Sequence, residues 1–139
     1  MNAVDANVFA YAFDADDPVK QVKAQQLLGR LRQAPAETVL LWQAAGELLN
    51  CLRRWQRAGR ISPADVEKDF RDVLAMFPVA LPTAQIFQIS MDLFSRYSLQ
   101  QWDSMLLAAC KDAGVGVLYT EDLDPGTDYD GVTVINPFT

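Results

Sequence analysis

The 139-residue chain has no histidine and only two cysteines. Without histidine there is no Ser-His-Asp or Cys-His catalysis, no imidazole base near neutral pH and no His-containing zinc site. Cys51 and Cys110 fall far apart within amphipathic patterns and read as small buried hydrophobes in a reducing compartment. Long apolar runs are missing too: none approaches the ~18–20 residues that span a bilayer. The first residues carry neither a basic segment nor a long apolar one. The expectation is a cytoplasmic protein with no membrane attachment. Flexible linkers, repeats and low-complexity tracts are also absent, so residues 1–139 read as one domain. An enzyme made from this chain has to work with carboxylates, lysine, tyrosine or a metal.

A basic surplus is lacking as well. The net charge of −6 argues against indiscriminate nucleic-acid binding. The sum hides an asymmetry: residues 1–60 hold 8 Lys and Arg against 6 acids, whereas residues 61–139 hold 4 against 12. A local basic face is compatible with an acidic whole.

What is present is an alternation of short apolar runs with helical patterns. Runs ending near Asp5, at Val39–Leu41, Val79–Leu81, Val115–Tyr119 and Val132–Ile135 are too brief for helices and read as strands. Between them lie helices from Pro18 to about Gln33, with Val22, Leu27, Leu28 and Leu31 on the apolar side, and from about Ala44 to Ala58. Further helices run from Pro63, capped by Ser62, to about Phe77, from a Thr83 cap to about Tyr97, and over about Gln101–Ala113. This predicts an α/β protein, a three-layer α/β/α sandwich around a mostly parallel sheet of about five strands. In such folds, sites form at the carboxyl edge of the sheet.

Four acids map to that edge. Asp5 ends the first strand, Glu47 lies in the first turns of the helix after the second, Asp103 opens the last long helix, and Asp122 follows Tyr119-Thr120-Glu121. Glu47 and Asp103 have a bland reading as N-terminal helix charges, and Asp122 as a turn residue. Asp5 has less excuse, because an acid in an apolar strand loses hydration for no local gain. Two carboxylates ~5 Å apart at an effective dielectric of ~20 repel by ~3 kcal/mol, a large fraction of the ~5–15 kcal/mol that holds a domain together. A hard divalent cation reverses that sign, and all-oxygen ligands suit Mg²⁺ or Mn²⁺. Attack of water on a phosphodiester is the chemistry such a site serves best. Thr120, beside Asp122, would either hydrogen-bond a ligand water or simply end its strand, and Asn7 is a second candidate supporting residue. Arg53, Arg57 and Arg60 share one helix face that would track a nucleic-acid backbone, or simply face solvent. Trp42, Trp55 and Trp102 read as core or interface rather than base-stacking platforms.

The sequence resembles the PIN-domain family and, within it, the VapC toxins of toxin–antitoxin pairs. The residues that carry the resemblance are Val4-Asp5-Ala6-Asn7-Val8, Glu47 with Leu48 and Asn50, and Trp102-Asp103 with Ala108-Ala109. Tyr119-Thr120-Glu121-Asp122-Leu123 and the ending Asp130-Gly131-Val132 and Val134–Phe138 complete it. The resemblance implies a Mg²⁺- or Mn²⁺-dependent endoribonuclease with Asp5, Asp103 and Asp122 at the metal and Glu47 supporting the metal and its water. It implies an RNA substrate, a VapB-like antitoxin, a homodimer, and a heterotetramer or larger assembly with the antitoxin. Phe9, Tyr11 and Phe13 read either as an antitoxin-binding surface or as core. Ala6 and Trp42 depart from the family, which often has hydroxyl residues there. The alternatives are a PIN nuclease of RNA maturation and an inactive PIN-type binding module. A phosphoryl-transfer domain with an Asp nucleophile fits less well: Asn7 stands where a second Asp belongs, and Lys111 is mid-helix.

Overall fold

The computed structural model describes residues 1–139. In chain order the elements are β1 (Asn2–Val4), α1 (Ala6–Ala12), α2 (Pro18–Leu31), β2 (Thr38–Leu41), α3 (Trp42–Arg57), α4 (Pro63–Leu74) and β3 (Val79–Ala80). They continue with α5 (Gln85–Tyr97), α6 (Gln101–Asp112), β4 (Val117–Tyr119), β5 (Asp128–Tyr129) and β6 (Val132–Ile135). The sheet order is β3-β2-β1-β4-β6-β5. β1 lies parallel between β2 and β4, with Ala3 paired to Val39 on one side and Leu118 on the other. All pairs are parallel except β5–β6. The five expected strands are joined by a sixth, β5, at residues for which no strand is expected from the sequence. It pairs through the tight Asp130-Gly131 turn, where both residues have positive φ, 53° and 96°. That is the backbone requirement of a two-residue hairpin turn whose twist matches the strands it joins.

Side chains alternate across the strands, so the sheet builds a core on each face. Val4 and Leu40 pack with α1, α2, α3 and α4; Ala3, Leu41, Leu118, Val132 and Val134 pack toward α5 and α6. The three layers therefore follow from a period-2 pattern sandwiched between amphipathic helices. Ser62 caps α4, its hydroxyl accepting from the Asp65 N–H while the Asp65 carboxylate accepts from the Ser62 N–H. No helix is long and apolar enough to cross a membrane.

Several local expectations need correction. Val22 is exposed, because α2 turns Ala24, Leu27, Leu28 and Leu31 inward instead. Thr83 does not cap α5; its hydroxyl donates to Asp112 at 2.9 Å, tying the approach to α5 to the end of α6. α3 starts at Trp42, directly from β2 with no loop, two residues before the expected Ala44. Asp5 does have a local role, as the N-cap of α1: its Oδ1 accepts from the Ala6 N–H at 2.7 Å.

Candidate active site

The chain leaves β1 toward β2 and β3 on one side and later fills the other side from β4 outward, so the topological switch point lies between β1 and β4. Asp5 stands at that point. Its backbone N–H donates to the Tyr119 carbonyl at 2.9 Å, stitching the end of β1 to β4. Thr120, fully buried, donates its hydroxyl to Asp5 Oδ2 at 2.8 Å and accepts the Asp122 N–H at 3.1 Å. One hydroxyl thus fixes both the Asp5 carboxylate and the backbone that presents Asp122.

Asp5 is only 5% exposed. Burial pushes its pKa up to about 6; the hydrogen bonds from Thr120 and Ala6 pull it back, and the charges of Glu47 and Asp122 raise it further. Asp103 is also pushed above the usual carboxylate range, by partial burial first and by Asp122 second. Asp122 accepts from Asn7 Nδ2 at 2.9 Å. Glu47 projects from α3 and accepts from Gln43 Nε2 at 3.0 Å, and the same amide donates to the Trp102 carbonyl at 3.2 Å. Gln43, which the sequence reading passed over, therefore ties the Glu47 helix to the start of α6, one residue from Asp103. Its spacing of four before Glu47 was the available signal.

Asp5, Asn7, Glu47 and Asp122 line one cavity of about 340 Å³. Asp103 lies outside that lining, within electrostatic reach of Asp122. As the side chains stand, no three acids converge so as to hold one ion. The donor set is nonetheless all oxygen. Asn7 Oδ1 is a buried acceptor with no donor, beside the carboxylate its own amide contacts. A hydrated hard cation fits both features: it takes oxygen ligands, and its waters supply the missing donors.

Glu121 is not part of this cavity. It accepts from Lys20 Nζ at 2.8 Å and from the Tyr11 hydroxyl at 2.9 Å, while Tyr11 packs edge-on against Phe138. The arginines sort differently from their sequence pattern. Arg53 donates to Gln56, and Arg60 binds Asp14 and Asp16 and lies 4.4 Å over the Trp55 ring. Neither these two nor Arg57 lines the cavity, but Arg54 does. Its signal was present: 47, 51 and 54 follow the i, i+4, i+7 rule and share a helix face. Phe9 is fully buried and Tyr11 and Phe13 pack against the same core, so these three do not form an open apolar surface. Trp42 and Trp102 are instead exposed and line a second, apolar groove of about 520 Å³. Burial drives the Cys110 thiol far upward, leaving it inert.

The model of the PIN domain family matches residues 3–126, which take in β1 to β4 and all six helices and leave out β5 and β6. The chain is a PIN-domain protein. No curated protein matches it in sequence. Among solved structures, it superposes on VapC20 of Mycobacterium tuberculosis, a sarcin-ricin loop cleaving toxin, with a TM-score of 0.66 and 17% identity, covering 88% of this chain and 90% of that one. A toxin–antitoxin complex from Klebsiella pneumoniae matches with a TM-score of 0.67 and 19% identity over 99% and 98% of the two chains. VapBC2 of Rickettsia felis, bound to a DNA fragment from its promoter, matches with a TM-score of 0.71 and 10% identity over 96% of each. At these identities the likeness establishes the fold. In this PIN domain the mostly parallel sheet between helix layers places Asp5 and Asp122 on adjoining strand ends.

Proposed function

We propose that this PIN domain is a metal-dependent endoribonuclease, the toxin of a VapBC-type pair, hydrolysing RNA phosphodiester bonds. The observation that carries the reading is Asp5: a carboxylate buried at the switch point, its pKa raised first by that burial and further by the charges of Glu47 and Asp122. Such a gathering of like charge is unfavourable for the fold alone and favours a cation. The toxin and toxin–antitoxin neighbours support the same reading.

In this proposal Asp5 and Asp103 hold Mg²⁺ or Mn²⁺, with Asp122 a direct or water-mediated ligand. The cation supplies charge that acidifies water and offsets the negative charge on the phosphate. The chain's own residues do the rest. Thr120 orients the Asp5 carboxylate, Asn7 holds Asp122, and Glu47, kept in place by Gln43, accepts a proton from the attacking water. The partners are RNA, a VapB-like antitoxin and a second copy, with a heterotetramer or larger assembly once the antitoxin binds, in the cytoplasm.

Purified protein without antitoxin should cut RNA internally in Mg²⁺ or Mn²⁺ and stop in EDTA. Cleavage that persists in EDTA would sink the mechanism, and expression that leaves growth untouched would favour a role in RNA maturation or as a binding module.

Support for the homodimer comes from an exposed apolar face. Phe87, Met91 and Phe94 form an exposed i, i+4, i+7 stripe on α5, and Leu81, Trp42 and Trp102 line the apolar groove that Phe87 borders. Phe87→Glu at the middle of this face is expected to convert dimers to monomers in light scattering at unchanged helix content. A dimer that survives the substitution places its interface elsewhere.

A further inference from the structure

Every acid of the cavity repels the phosphates of an RNA strand, and one cation alone does not hold a strand in register. The cavity wall supplies a second positive charge. Arg54 is the only basic residue that lines it. The other acid on that wall, Asp14, is taken by Arg60 at 2.8 Å, and Arg60 is held in turn by Asp16 and the Trp55 ring. Arg54 is left over. Its guanidinium is exposed and joins no ion pair or hydrogen bond with Glu47, Asp5 or any other side chain, although it shares their cavity.

A guanidinium beside unpaired carboxylates that does not close on them is available for a ligand. Arg54 lies seven residues after Glu47 on α3, two turns along the same face, roughly 10 Å along the axis. Arg53, Arg57 and Arg60 stand outside the cavity lining, and Arg53 and Arg60 are already engaged. Arginine's planar fork matches two oxygens of a phosphate, which gives it both charge and direction.

We infer that Arg54 is a substrate-binding residue that grips a backbone phosphate flanking the scissile one, fixing which phosphodiester lies over Asp5. The inference rests on the nuclease reading above. It adds a phosphate subsite on the α3 wall of the cavity, separate from the acids.

The test compares wild type with Arg54→Gln, Arg54→Lys and, as a remote loss of equal charge, Arg32→Gln. Binding of a short fluorescent single-stranded RNA is followed by anisotropy in EDTA across a salt series, and KM and kcat are measured in Mg²⁺. Arg54→Gln is expected to raise Kd and KM roughly ten- to a hundredfold, the scale of one charged hydrogen bond, with kcat changing less. Its log Kd against log salt slope should fall by about 0.7, the value of one phosphate contact on a single strand. Arg54→Lys should recover the salt slope but not the full affinity, and Arg32→Gln should match wild type. An Arg54→Gln protein with unchanged Kd and salt slope overturns the inference. So does a lowered melting temperature with unchanged RNA binding, which would make Arg54 a counter-charge for the acids. If wild-type protein binds but cuts no RNA in either metal, the nuclease reading falls while the Kd comparison still decides Arg54.

Discussion

Asp5→Asn is expected to slow RNA cleavage by at least roughly a hundredfold, the upper range for losing even an outer-shell partner of a metal ligand. In EDTA at pH 8 it should also raise the melting temperature, by about 5–10 °C. The two effects have one origin. The folded protein holds the Asp5 proton with a pKa of about 6, against an ordinary value of 3.8. Below pH ~4 both folded and unfolded chains are protonated there, and the fold keeps its full stability. As pH rises from ~4 through ~6, the unfolded chain releases the proton more readily, so stability falls. The loss amounts to roughly 3 kcal/mol above pH ~6. Asparagine cannot ionise, still offers an oxygen to the Ala6 N–H, and can turn its amide to meet the Thr120 hydroxyl. It should therefore remove the fall.

A divalent cation reverses the sign for wild type. At a hundred times its Kd it contributes about 2.7 kcal/mol, and Asp5→Asn should lose most of that gain. Thermal melts from pH 4 to 8, in EDTA and in Mg²⁺ or Mn²⁺, separate these terms. A wild-type melting temperature that is flat over that range in EDTA, or an equal metal gain in both proteins, would remove Asp5 from the proposed site.

Phe9→Ala is expected to destabilise the protein by about 3–5 kcal/mol, a third or more of the stability of a typical domain. Phe9 is fully buried in the core between the sheet and α1–α4, among Val4, Val8, Leu28 and Leu48. Truncation removes its transfer free energy and leaves a cavity that α1, held at its N-terminus by Asp5, can close only in part. Urea unfolding should show a lower midpoint with an unchanged slope. Phe13→Ala, at a half-buried position, should lose less than half as much. A loss under about 1 kcal/mol for Phe9 would contradict its place in the core.

Much of the architecture was legible because parallel sheets leave a strong local trace. Leu40 and Leu41 are buried on opposite faces of β2 and Val132 and Val134 on one face of β6, and the helices between them carry caps and breaks of their own, Ser62-Pro63 being the clearest. The carboxyl edge was legible for the same reason, since parallel strands joined by crossover helices all end at the same edge of the sheet. β5 was missed because two residues, Asp128 and Tyr129, carry no periodicity; they become a strand only by pairing with β6.

The sequence by itself determined that the chain alternates strand and helix and that Asp5, Glu47, Asp103 and Asp122 follow strands or open helices at one edge. These are properties of short windows, set by periodicity and capping. The tertiary structure alone decided between neighbours. It turned Glu121 toward Lys20 and Tyr11 and left Asp122 on the cavity, chose Arg54 over Arg53 and Arg60, buried Phe9 and exposed Trp42 and Trp102. Adjacent residues have nearly the same local propensity, and what separates them is which face the packed sheet and helices leave open.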